Sequence, residues 1–395
     1  MATRNTGPDG TAVGPDREVG RLHSSVMTGL EGGGGSVARV GVVGVVVVTY
    51  ETPPELLARC LASVGHSTVH DSVAVLDIVV VDNASSASPQ VPDGVRLLRL
   101  DRNAGFAAGV NHGIAALSSE CSFVFLLNPD ATVAPMAIGR CMARLNNSTP
   151  DTVAVAPKMV LVNADGTAAG TPPILDAVGI GVNAKAEAAN RGLGQPDLGQ
   201  YDRSDDVFGA CFGAALIRRS AFAADAVGPV DERLFLYYED VAWCWAAQLL
   251  GHRIVTEPSA VVHHVMSAGV VRERPYAFKF EHTERNLLVC ALMFLEPRHA
   301  LAVTGRRTLG LLRGSILGRH YPLAGLRSLL GMVRLLPHVI AVRRRITSRR
   351  VRTDEHIMAY RNDEPIFFDS VNYCVANAKA AEAFAERRLA SMGRT

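Results

Sequence analysis

The run V-A-R-V-G-V-V-G-V-V-V-V, residues Val37 to Val48, decides the fold. Nearly every position is β-branched or small. The run is shorter than the roughly 20 apolar residues a bilayer span needs, and too continuous for a strand with one wet face. It is therefore expected to be a central parallel strand covered on both sides. It ends at Thr49-Tyr50-Glu51, after which Pro53-Pro54 opens an amphipathic helix with Leu56, Leu57, Cys60, Leu61 and Val64 on one face. The pattern then repeats. Val73 to Val81 ends at Asp82-Asn83-Ala84-Ser85-Ser86. Val95 to Leu100 is followed by Asp101-Arg102-Asn103-Ala104-Gly105-Phe106 and a small-residue helix through Asn111. Phe123 to Leu127 ends at Asn128-Pro129-Asp130. Strands alternating with helices argue for a doubly wound α/β sheet.

Composition bounds the rest. Of 395 residues 48% are hydrophobic, enough for a substantial core, while a net charge of +2 names no partner. The seven cysteines (Cys60, Cys121, Cys141, Cys211, Cys244, Cys290, Cys374) are scattered without a C-x-x-C pair. They are expected to be buried free thiols of a reducing compartment, not a zinc site or a disulfide framework. The N-terminus lacks the apolar core of a secretory signal, so a cytoplasmic location is expected. Met1 to Ser36, ending in four glycines, reads as a disordered leader. Residues 37–286 read as the α/β domain.

Beyond Asn286, residues 287–395 read as a basic helical region. Arg306, Arg307, Arg313, Arg319, Arg327, Arg334, Arg343, Arg344, Arg345, Arg349, Arg350 and Arg352 punctuate Leu-, Ile- and Gly-rich stretches. Such helices suit an anionic membrane surface, which places the chain as a peripheral protein at the inner face of the cell membrane. The competing reading is a helical subdomain packed on the α/β domain, or a homo-oligomer contact. Nucleic acid is not expected as a partner, since aromatic interleaving is lacking. Asp354 to Thr395 reads as a mixed tail with a helix over Ala376 to Leu389.

In an open parallel sheet, ligands bind beyond the carboxyl ends of the strands. Thr49, Asp82, Asn103 and Asp130 all fall at such ends. Each alone is also ordinary turn chemistry; four together point to a binding edge. The turn after the first strand, T-Y-E-T-P-P, lacks the glycines of a dinucleotide site, and no P-loop occurs anywhere. A single carboxylate such as Asp130 can instead anchor Mg or Mn, with a ligand's diphosphate completing the oxygen shell.

A second focus is Asp231 to Trp245, D-E-R-L-F-L-Y-Y-E-D-V-A-W-C-W. Glu239 and Asp240 stand where a helical pattern through Val241, Trp245 and Leu249 begins. Peptide dipoles favour acids there, which would hold Asp240 ionised as a base; simple capping is the other reading.

The segments V-V-V-V-T-Y, V-V-V-D-N-A-S, R-N-A-G-F-A-A-G-V-N, L-L-N-P-D, F-L-Y-Y-E-D-V and V-V-H-H together resemble the family 2 glycosyltransferases of the GT-A fold. The likeness runs from about Val40 to Asn286 and is nearest to the bacterial rhamnosyl- and galactofuranosyltransferase branch, with N-P-D in place of D-x-D. The resemblance implies a metal-dependent, inverting transfer of a sugar from a UDP- or dTDP-linked donor. The acceptor would be a glycan or a polyprenyl-linked saccharide of the cell envelope. It implies that Thr49, Glu51, Asp82 and Asn83 hold the nucleoside, Asp82 accepting the base imide N–H. Asn103, Gly105, Phe106 and Asn111 would lie beside ribose and diphosphate, Asp130 and His263 would hold the divalent metal (Mg or Mn), and Asp240 would be the catalytic base with Glu239 beside it. Gly209, Ala210 and Tyr238 fall on the acceptor side, and Arg285 is a candidate diphosphate contact. His264 reads as a satisfied or solvent-facing histidine, and Cys211 and Phe212 as core. Relatives commonly continue E-D-V-D-[LW]-C-x-R-x-R; here Ala242, Ala246 and Gln248 depart from that pattern. The rival classes are a sugar nucleotidyltransferase, whose Gly-rich basic loop is missing after the first strand, and a catalytically silent binding module.

Overall fold

The structure, a computed structural model, describes residues 41–67, 73–183, 185–265, 276–318 and 321–360. The expected leader and the helix at Ala376 to Leu389 lie outside these residues. In chain order the α/β part comprises β1 (Gly41–Thr49), α1 (Pro54–Gly65), β2 (Val73–Asp82), β3 (Arg96–Arg99), α2 (Phe106–Ala116), β4 (Cys121–Leu127), β5 (Ala131–Val133) and α3 (Ala137–Asn146). It continues with β6 (Thr152–Leu161), β7 (Leu175–Ala177), β8 (Ile180–Val182), β9 (Ala188–Asn190), β10 (Asp206–Val207), β11 (Ala214–Arg218), α4 (Glu239–Leu249) and β12 (Arg253–His264). The main sheet runs β10-β12-β6-β11-β4-β1-β2-β3. Strands β3, β2, β1 and β4 are mutually parallel, as are β6 and β12, whereas β11 is antiparallel to both β4 and β6. The sheet is therefore mixed.

The valine run explains the layering. Val46 and Val48 face the cluster that holds Val110, Ile114 and Trp245, while Val43, Val45 and Val47 face the one that holds Leu57, Cys60 and Ile138. Alternate side chains of one strand thus feed two cores, which is why every position in it is apolar. Gly109 and Gly113 let α2 lie directly on Val48 and Val46, whose methyl groups occupy the space a Cβ would need. The chain leaves β1 for β2 and β3 on one side and returns to β4 on the other. This places the topological switch point, and so the crevice, beyond Thr49 and Leu127.

The apolar run Val207 to Ile217 is divided between β10 and β11, separated by the turn containing Gly209 and Gly213. The Gly-, Pro- and Ala-rich stretch Ala168 to Asp206 contributes β7, β8 and β9.

The helical region comprises α5 (Tyr276–Phe294), α6 (Pro297–Ile316), α7 (Pro322–Arg334), α8 (Leu336–Thr347) and α9 (Asp354–Met358). The boundary placed at Asn286 falls inside α5. The arginines divide into two sets. Arg307 pairs with Glu284 (2.5 Å) and Glu187 (2.6 Å), and Arg343 donates to the Leu292 carbonyl (2.6 Å). Arg350 pairs with Asp354 (2.7 Å), and Arg352 donates to Gln248 and to the carbonyls of Gly251 (2.9 Å) and His252 (2.8 Å). Arg306, Arg313, Arg327, Arg334 and Arg344 are exposed instead, among exposed Leu301, Leu309, Ile316, Leu323 and Ile340. Among the described residues no single helix is long and apolar enough to cross a membrane; α7 and α8 together reach that length but bend by 57°.

Candidate active site

Asp240 and Glu239 open α4 after a loop of unusual backbone. Phe235, Tyr237 and Tyr238 have φ of 66°, 65° and 68°, left-handed values that L residues rarely adopt. The loop is pinned from α5. The Asn286 amide, wholly buried, donates to the carbonyls of Leu234 (2.9 Å), Leu236 (3.1 Å) and Tyr237 (2.6 Å). Arg285 adds a bond to Leu234 O (2.7 Å) and one to Asn286 Oδ1 (2.8 Å). The guanidinium expected on a diphosphate is thus spent on holding the loop.

The two acids sit in different surroundings. Asp240 Oδ1 accepts from Val241 N (2.7 Å) and Oδ2 from Phe212 N (3.4 Å). Glu239 is buried, and its Oε2 has no hydrogen-bond partner among the described residues. Burial and then the Asp240 charge push the Glu239 carboxyl well above the usual range. Burial also raises Asp240, but the backbone N–H groups of Val241 and Phe212 pull it back down. Both carboxyls are thus held above the ordinary carboxylate range, and Asp240 alone of the two has backbone N–H groups that favour its ionised form. The helix-start dipole anticipated for Asp240 is present, yet desolvation outweighs it.

Both acids line a cavity of about 330 Å³ with Phe106, Asn128, Asn190, Cys211, Phe212, Gly213, Tyr237, Tyr238, Lys279 and Thr283 among its walls. Asn128 links it to a second charged cluster, its Nδ2 lying 3.2 Å from His264 Nε2. The same Nε2 is 3.2 Å from Asp130 Oδ1, and His264 Nδ1 is 2.7 Å from Asp176 Oδ2. Burial would lower the basicity of His264, but Asp130 and Asp176 outweigh it and raise its pKa to about 10. Cys211 lies between the clusters and feels the charges of both Asp240 and Asp176, which add to burial in raising its thiol pKa.

The histidine beside Asp130 is His264, not the expected His263. Successive residues of a strand face opposite sides; His264 shares the buried face of Val262, while His263 is half-buried on the other. The Asp130 and His264 donors fit a divalent ion. Two adjacent ligands at ~2.1 Å from an octahedral ion lie about 3 Å apart, close to the separation seen, and two protein ligands leave most of the shell to ligand oxygens. The Glu296, His299 and Asp354 cluster is a poorer host, because the Arg350 cation already pairs with Asp354.

Of the remaining expected residues, Thr49, Glu51, Asp82, Asn83, Asn103 and Gly105 are tied together at one edge of the sheet and Phe106 lines the cavity, whereas Asn111 does not join them. Thr49 is buried with Oγ1 donating to Thr52 (2.9 Å), and Glu51 accepts from Ser86 N (2.6 Å) and Oγ (2.9 Å). Asp82 is fully buried, closed over by Ser85 (N 3.0 Å, Oγ 2.6 Å) and Arg99 (2.9 Å). Asn83 clamps the next loop, accepting from Ala104 N (2.8 Å) and donating to Gly105 O (2.9 Å), while Asn103 accepts from Gly105 N (3.0 Å). Gly105 has φ 90°, and a Cβ there would overlap the Phe235 carbonyl. Asn111 faces elsewhere, bonded to Val230 (2.8 and 3.0 Å) and Glu232 (2.9 Å) on a separate cavity behind α4. Gly209 and Ala210 are packed under Ile180 and Cys244; the cavity wall is made by Cys211, Phe212 and Gly213 instead. Tyr238 does line the cavity, and its hydroxyl accepts from Ala188 N (3.2 Å). Asp176 has no motif around it, and Asn286 stands beside Arg285 in an E-R-N run from which only Arg285 was expected to act.

Comparison with known proteins bears on the family and the fold. The family model described as Glycosyl transferase family 2 matches residues 44–224. The N-acetylglucosaminyl-diphospho-decaprenol L-rhamnosyltransferases of two Mycobacterium tuberculosis strains, CDC 1551 / Oshkosh and H37Rv, are each 30% identical over 239 residues, 56% of this chain and 76% of theirs. Among solved structures, GalNAc-T7 with UDP, GalNAc and Mn2+ superposes with a TM-score of 0.55 at 14% identity, covering 81% of this chain and 56% of that one. The last likeness supports the GT-A fold; the sequence relatives carry the family. The chain belongs to glycosyltransferase family 2.

Proposed function

We propose that the chain transfers a sugar, with inversion, from a nucleotide-linked donor to a lipid-linked or polysaccharide acceptor at the inner face of the membrane. The observation that carries this reading is one cleft reached by both Asp240 and, through Asn128, the Asp130–His264 pair. An acceptor hydroxyl is a weak nucleophile, and Asp240 takes its proton as the new C–O bond forms. The bond from the anomeric carbon to the nucleoside diphosphate breaks on the opposite face, which gives inversion. A divalent ion held by Asp130 and His264 would neutralise the charge growing on that leaving group. Glu239, beside the base on the cavity wall, helps to orient the acceptor hydroxyl. Asp82, held by Ser85 and Arg99, is the residue we assign to the nucleobase. The relatives' diphospho-decaprenol acceptor favours a lipid-linked substrate.

The α6–α8 face supports the location. Residues 297–353 contain 13 arginines and no acid, and the exposed members are interleaved with exposed Leu and Ile. Headgroup charge and apolar burial are the two contributions that hold a protein on an anionic bilayer.

A thermal-shift panel of nucleotide sugars with and without Mn2+ tests the site. A ligand at 100 times its Kd stabilises by about 2.7 kcal/mol, and UDP- or dTDP-sugars should do so only with the metal. Stabilisation by none of them, or equal shifts without metal, would refute the reading. Flotation with anionic liposomes tests the surface; failure to float at low salt would refute it.

A further inference from the structure

His264 is aimed by a residue 88 positions away in sequence. Asp176 is the central residue of β7, which pairs with β6 at Met159 and Val160; β12, bearing His264, runs along the other edge of β6. Asp176 is 2% exposed, and its flanking residues Leu175 and Ala177 are buried apolar side chains. A carboxylate so placed needs a donor, and among the described residues it finds His264 Nδ1, at 2.7 Å. An imidazole that gives Nδ1–H to a carboxylate can offer only Nε2 to anything else. That Nε2 is the nitrogen 3.2 Å from Asp130 Oδ1. The ring is thus fixed both in rotation and in which nitrogen it presents.

We propose that Asp176 is a positioning residue of the cation site, holding His264 so that Nε2 and Asp130 face one ion. The inference rests on the proposed role of Asp130 and His264. Outer partners of metal-bound histidines act in this way by fixing the ring and raising its donor strength. The position is structural in origin as well: β7 occupies the edge of β6 just where β12 brings His264 alongside Leu161.

The test is Mn2+ affinity, read by electron paramagnetic resonance in the presence of UDP, with dTDP as a second probe. Asp176→Ala should weaken Mn2+ binding 10- to 100-fold, and Asp176→Asn, which keeps an acceptor oxygen, should weaken it less. Nucleotide affinity without metal should stay at the wild-type value in both. Wild-type Mn2+ affinity in either variant, while Asp130→Ala loses the ion, would overturn the inference and leave the site standing. Equal affinity in wild type and Asp130→Ala would overturn the site reading and the inference together. Should Asp176→Ala fail to fold, the Asn variant carries the measurement. A 15N-histidine spectrum of the wild type with Mg2+ and UDP gives a check free of substitutions: His264 should keep its Nδ1 proton, and a ring protonated on Nε2 instead would overturn the proposal.

Discussion

Replacing Asn286 by alanine should disable catalysis without unfolding the chain. Three left-handed residues, Phe235, Tyr237 and Tyr238, hold strain of ~1–2 kcal/mol each, on the order of 3–6 kcal/mol in all. The Asn286 amide opposes its release with bonds to three carbonyls. Two amide hydrogens at about 1 kcal/mol each, plus the cost of leaving buried carbonyls unpaired at about 1–3 kcal/mol, put the loss near 3–5 kcal/mol. Loss and stored strain are thus of equal size, so the loop relaxes while the sheet stays intact. Asp240 is two residues beyond Tyr238 and moves with it. A displacement of about 1 Å at a reacting group can lower the rate about 100-fold. The expected result is a kcat lowered on that scale, a donor KM near wild type, and faster amide hydrogen exchange confined to residues 234–241. Asn286→Asp should behave alike, since an ionised carboxylate cannot donate. A folded Asn286→Ala protein with wild-type kcat and unchanged exchange over the loop would refute the argument.

Other outcomes follow from the same geometry. Asp240→Asn should lower transfer by ~10²–10⁴ while donor binding by calorimetry stays near wild type; turnover within tenfold of wild type would remove Asp240 as the base. Because burial raises the Asp240 pKa, kcat should fall as pH drops through a value above the ordinary aspartate range, and an acid limb at or below that range would contradict the assignment. Gly105→Ala should destabilise by about 2–4 kcal/mol in urea titrations, since φ 90° and the Phe235 carbonyl both oppose a Cβ. Reversing exposed Arg313, Arg327 or Arg334 to Glu should weaken liposome binding by at least roughly fivefold per site, with the deficit shrinking in high salt.

The sheet was legible because a strand buried on both faces must be apolar throughout, and Val42 to Val48, the part of the valine run that β1 contains, meets that condition. The sequence also places Asp130 at a strand end and Asp240 at a helix start, and in the structure Asn128 and His264 stand between the two acids. What failed was parity. Ala260, Val261 and Val262 are apolar on both faces, so the sequence does not say which of His263 and His264 turns inward. The register shift between Glu257 and Val261 resets the alternation as well. Asn111 and Arg285 carry the right chemistry on helices whose rotation only packing sets, and both turn to backbone carbonyls. Asp176 sits in a stretch of Gly, Pro and Ala with no periodicity to expose it.

The bonds of Arg307 have a practical corollary. Its guanidinium, borne on α6, is the counter-ion of Glu284 and Glu187, while Arg352 closes the C-terminal end of α4. Shortening the protein ahead of α6 to improve its handling would strip a buried acid of its partner and uncover the very element that bears the base. Solubility is better sought by recolouring the outer leucines, such as Leu309 and Leu323, than by cutting the tail away.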